Sequence, residues 1–95
     1  MKVMAIASPK VALNPEMLKP HMPAEVPHTL QLYLDGVVEQ FWFREQKGPI
    51  FLMNVETVEQ AQAVLNTLPL VKADLMTYEL MPIGPLAPLG RLIQS

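Results

Sequence analysis

The spacing of apolar and polar positions changes several times along the chain, and each change marks an element. The clearest stretch runs from Val55 to Leu70, VETVEQAQAVLNTLPL. Val58, Ala61, Leu65 and Leu68 recur at i, i+3, i+7 and i+10, which aligns them on one face of an α-helix, while Glu59, Gln62 and Asn66 point elsewhere. Thr57 stands just before the first apolar position and Gln60 follows three residues later, the pattern of a capping box. This predicts a helix over residues 57–68, stopped by Pro69.

Reading outward supplies the rest. Lys2 to Ala7 is a short apolar run closed by Ser8-Pro9, the pattern of a strand buried on both faces. Asn14-Pro15 suits an N-cap followed by proline at the first helical position, so a short helical turn is predicted near residues 15–19. Pro20, Pro23 and Pro27 break any longer helix. A main helix over residues 24–35 then places Pro27 in the first turn, where its missing N–H is tolerated, and Val26, Leu30, Tyr33, Leu34 and Val37 form its apolar stripe. Gly36 suits the left-handed position that ends it. The β-branched and aromatic run VVEQFWFR predicts a strand over 37–44, residues 45–49 a hairpin turn, and residues 50–55 a third strand. ADLMTYELMP, residues 73–82, partly alternates and predicts a fourth. The order β, α, β, β, α, β is the split βαβ, ferredoxin-like α+β arrangement: a four-stranded antiparallel sheet with both helices on one face. The other face is left without cover, which predicts a homodimer formed face to face.

Composition strengthens that expectation. Hydrophobic residues make up 51% of the 95-residue chain and charged residues 17%, too few charges to cover a globule of this size. The apolar surplus is expected at a subunit interface or around a pocket. The net charge is −2, and the seven Lys and Arg are scattered, so the basic stripe that nucleic acid requires is missing. No cysteine is present, which removes thiolate chemistry and disulfides. The apolar run before Pro9 is too short for a secretion signal, and no stretch of about 18 apolar residues suggests a membrane span; a cytoplasmic protein is expected. The tail, residues 83–95 (IGPLAPLGRLIQS), sets apolar residues between Gly and Pro and predicts an extended arm lying across a neighbouring subunit.

Candidate chemistry is sparse. His21, Glu25 and His28 have the i, i+4, i+7 spacing of a metal or acid–base cluster, but the intervening prolines argue against a common helix, and no metal is expected. His28 remains a candidate acid or base, since imidazole titrates near neutrality. On the second strand Gln40, Trp42 and Arg44 share one face, and Glu39, Phe41 and Phe43 the other. With the phenylalanines turned to the helices, the open face presents an indole wall and a guanidinium able to pair with a carboxylate. Glu79 and Tyr78 fall on opposite faces of the fourth strand. Glu79, directed into an apolar barrel, could shuttle a proton. No phosphate loop, nucleophile elbow or dinucleotide fingerprint is present, so serine chemistry and nucleotide binding are set aside.

The run NVETVEQAQAVLNTLPLV, residues 54–71, together with the preceding GVVEQFWFR and the strand that follows, resembles the muconolactone isomerase family over residues 36–82. The resemblance implies a ferredoxin-like fold dimerising through its sheets into an α+β barrel, and a cofactor-independent proton shift within an unsaturated lactone. The expected function is therefore an isomerase-like protein acting on a small unsaturated lactone or carboxylated molecule. Arg44 would hold the carboxylate, Trp42 with Gln40 would wall the site, and His28 or Glu79 would move the proton. The alternative is a non-catalytic ligand-binding or assembly module on the same scaffold.

Overall fold

The computed structural model describes residues 1–84 of the chain. Its elements are β1 (Lys2–Pro9), α1 (Pro15–Leu18), α2 (Met22–Leu34), β2 (Val38–Arg44), β3 (Gly48–Asn54), α3 (Val58–Leu65), α4 (Pro69–Lys72) and β4 (Met76–Ile83). The strands form one sheet in the order β2-β3-β1-β4, every neighbouring pair antiparallel. This is the expected α+β, ferredoxin-like topology. The predicted arm lies in residues outside those described, apart from Ile83, which belongs to β4, and Gly84. Among the described residues no helix is long and apolar enough to cross a membrane.

Alternation along β1 separates two faces. Val3, Ala5 and Ala7 are buried beneath the helices, whereas Met4 and Ile6 are only half-buried on the other side. The alanines matter to the packing. Ala5 pairs with Phe51 on β3 and Ala7 with Tyr78 on β4. Small side chains on the central strand let the two rings meet above it, stacked at 5.6 Å and 20°. Aromatic pairs in offset stacks add to the stability expected from area alone.

Helix α3 forms as its pattern requires. Thr57 Oγ1 accepts from the Gln60 amide at 3.0 Å, and Gln60 Oε1 reaches back to the Glu56 amide at 2.7 Å. Ala61, Leu65 and Leu68 are fully buried. The helix nevertheless ends at Leu65, three residues before the predicted stop, because Pro69 forces Leu68 into extended backbone (φ −70°, ψ 137°) and then starts α4 itself. The fourth strand likewise starts late: Asp74 has a left-handed backbone (φ 62°), and the chain straightens only at Met76.

Helix α2 departs most from expectation. It starts at Met22, with Pro23 in the first two positions and Pro27 inside the helix. Pro27 therefore removes an interior hydrogen bond, the one to the Pro23 carbonyl. The predicted apolar stripe is not its buried side: Val26, Leu30, Tyr33 and Leu34 are 56, 49, 45 and 67% exposed, while Glu25 is 7% exposed. Glu25, Thr29 and Leu32, spaced i, i+4, i+7, turn inward instead. The helix is thus rolled by about one residue, or 100°, and its apolar flank stands over a gap beside the sheet.

Candidate functional site

The open face carries the strand residues singled out from the sequence. Cross-strand pairing puts Trp42, Ile50, Ile6 and Glu79 in one row and Gln40, Leu52, Met4 and Met81 in the next. Gln40, Trp42, Arg44 and Glu79 therefore share a face. Trp42 and Glu79 sit on opposite edge strands, three strand spacings or about 14 Å apart. A bulge between Val38 and Gln40 takes Glu39 out of simple alternation, and its carboxylate pairs with Lys2.

Arg44 is engaged by backbone. Its Nε donates to the Gly48 carbonyl at 3.2 Å, and one terminal nitrogen donates to the carbonyls of Ala7 and Lys47. These bonds tie the β2–β3 hairpin to the end of β1. His28 lies on the helix side, away from the other four. The Thr67 hydroxyl donates to the Val64 carbonyl at 2.6 Å, so at 2.8 Å from His28 Nε2 it must accept. That fixes the proton on Nε2 and makes the ring a clasp between α2 and the end of α3.

A pocket of about 410 Å³ opens on the helix side, where α2 stands off the sheet. Val26 and Leu30 form its mouth, Phe41, Phe43 and Phe51 its sheet wall, and Trp42 borders it from the edge strand. Phe43 is 80% exposed, an unusual state for a phenylalanine beside an apolar recess. Tyr33, outside this pocket, meets Phe41 edge to face at 5.3 Å.

Glu25 and Tyr78 bring polarity to this pocket. Glu25 Oε1 accepts from the Leu70 amide at 2.9 Å, and Oε2 lies 3.5 Å from the Thr29 hydroxyl. The first bond has a structural cause. Helix α4 begins after Leu68, which has no side chain able to cap it, so the Leu70 amide is an orphan donor until Glu25 supplies an acceptor from α2. Burial pushes the Tyr78 hydroxyl well above its ordinary pKa, and the nearby Glu25 carboxylate pushes it further. Tyr78 is therefore a neutral hydrogen-bond donor at any physiological pH. Among the described residues no group of three or more His, Cys, Asp or Glu is arranged to hold a metal ion.

Neither member of this pair stood out in the sequence. Glu25 figured only between two histidines, and Tyr78 only as the residue opposite Glu79. One signal was present: a helix starting at Leu68-Pro69-Leu70 without a capping side chain needs an acceptor from elsewhere, and Glu25 is in phase with Thr29. No protein-family model and no curated protein sequence matches the chain.

Proposed function

We propose that the protein binds a small, largely apolar molecule in the pocket beneath α2 and self-associates through its open sheet face as a dimeric α+β barrel. The pocket carries the reading: a cavity of about 410 Å³ with aromatic walls and a buried carboxylate has the size and lining typical of small-molecule sites. Self-association is supported by the two adjacent rows that set Met4, Ile6, Trp42, Ile50, Leu52 and Met81 side by side on a face that no helix among the described residues covers, an apolar patch of the kind that marks interfaces. Sedimentation velocity tests it. The wild type should run as a dimer and Ile50→Glu as a folded monomer, while a monomeric wild type at high micromolar concentration rejects the assembly. Ligand binding is tested by quenching of Trp42, the only tryptophan; absence of any saturable change across a panel of aromatic compounds rejects the binding role.

A second reading, a cofactor-independent isomerase of the muconolactone isomerase type acting on a small unsaturated lactone, is favoured by Glu25 and Tyr78 lining one cavity. The Glu25 carboxylate would take a proton from carbon beside the ligand carbonyl and return it two carbons further along. The Tyr78 hydroxyl would donate to the enolate oxygen that forms between the two transfers. In this scheme the acid–base group is Glu25 rather than His28 or Glu79. Exchange of a ligand C–H proton with deuterated solvent, seen by NMR and lost in Glu25→Gln, would support it. Binding without exchange leaves the protein a non-catalytic module.

A further inference from the structure

Resting on the reading that the pocket beneath α2 binds a small molecule, we infer that its ligand is an uncharged aromatic compound of about two fused rings bearing a hydrogen-bond donor, and that the pocket turns carboxylates away. Three observations lead there. The first is charge. Glu25 is the one formally charged side chain on the pocket wall among the described residues, and no Lys, Arg or His lines it. Arg44, expected from the sequence to anchor a carboxylate, is bonded to the carbonyls of Ala7, Lys47 and Gly48. A carboxylate entering the cavity meets a buried like charge with no cation to offset it, in surroundings where water screens poorly.

The second observation is the pattern of free hydrogen-bonding capacity. Glu25 Oε1 is bound to the Leu70 amide, whereas the partner of Oε2, the Thr29 hydroxyl, is at the limit of bonding distance. An ionised carboxylate only accepts, with room for about two bonds per oxygen. Oε2 is therefore the place for a ligand hydroxyl or amine N–H, and a charge-assisted bond of this kind is among the stronger ones. The neutral Tyr78 hydroxyl can donate to an oxygen on the same ligand.

The third is size and shape. An apolar cavity of about 150 Å³ is known to take up benzene, so about 410 Å³, open on one side, suits two fused rings. Phe41, Phe43 and Phe51 offer ring faces and edges along the sheet wall, the geometry that aromatic ligands use.

The test uses the full chain and a matched pair, naphthol and naphthoate, measured by calorimetry with Trp42 emission reporting the site. Naphthol should bind saturably and naphthoate at least about 100-fold more weakly, an effect of the size expected for a partly screened like charge about 6 Å away. Glu25→Gln should bring the two within about tenfold of each other. Val26→Trp, which fills the mouth, should abolish naphthol binding and tie the signal to this cavity. Naphthoate binding as tightly as naphthol to the wild type overturns the inference while leaving the binding role intact. If neither compound binds up to millimolar concentration, the binding role fails and the inference goes with it. Should Glu25→Gln not fold, the wild-type pair alone decides.

Discussion

Replacing Glu25 separates its structural contribution from its charge. In Glu25→Ala the Leu70 amide loses its acceptor at 2.9 Å and is left buried without a partner, which typically costs about 1–3 kcal/mol. Two effects oppose this. Removing a buried carboxylate relieves its desolvation, and the pocket is open enough for water to reach part of the vacated space. A net loss of about 1 kcal/mol is expected, and for a domain of this length each kcal/mol shifts Tm by roughly 4–8 °C, so the midpoint should fall by about 4–8 °C. Glu25→Gln keeps an oxygen facing Leu70 and removes only the charge, so its shift should stay below about half a kcal/mol. Differential scanning calorimetry gives the midpoints, and amide exchange at Leu70 gives the local cause: protection lost in the alanine variant and retained in the glutamine variant. An alanine variant that melts with the wild type and still protects Leu70 would refute the proposed bond between α2 and α4.

Three further outcomes are expected. Because the Tyr78 pKa is raised in the folded state above its unfolded value of about 10, the stability it contributes is fully present below about pH 10 and is lost as pH climbs toward the folded value; urea midpoints should fall above pH 10 in the wild type and fall less in Tyr78→Phe, and parallel curves would contradict this. Gly48 has φ +92°, and a Cβ there would lie 3.1 Å from both Ala7 Cβ and Met76 Cε, so Gly48→Ala should destabilise by about 1–3 kcal/mol in urea titration, with no change in midpoint as the contrary result. Thr57→Ala removes the acceptor for the Gln60 amide and should cost about 1 kcal/mol, measured in the same way; an unchanged midpoint would show that the cap is replaced by water.

The order of elements was legible in the sequence because it depends on local signals: the capping box at Thr57, the β-branched and aromatic run before Arg44, and Gly36 after α2. What failed to show were features set by contacts between distant segments. The apolar stripe Val26, Leu30, Tyr33, Leu34 has sound helical spacing, yet periodicity states only that one face is apolar, not that this face reaches the core. The rotation of α2 is fixed by the Glu25 bond to Leu70, 45 residues away in sequence, and by the His28 bond to Thr67. Nothing within one helix could reveal either. The same holds for Arg44, whose partners include the carbonyl of Ala7. The hairpin turn was predicted, but its attachment to β1 was not. The pocket arises from these two long-range settings together, which is why its polar pair escaped a reading by spacing.

The position of β1 in the sheet has a further consequence, for how the chain reaches this structure. β1 is the first strand along the chain and an inner strand of the sheet: Ile6 pairs with Ile50 on one side and with Glu79 on the other, and Lys2 with Asn54 and Ile83. The β2–β3 hairpin and α3 can form from neighbouring residues, but β1 has no local partner and must close long loops on both sides. Loop closure of this kind comes early in entropy and late in reward, so folding should be slow for a chain of this size. On the ribosome, β1 stays unpaired until β3 has emerged and keeps one edge open until β4 follows, and its apolar run Val3 to Ala7 is the segment most in need of protection meanwhile.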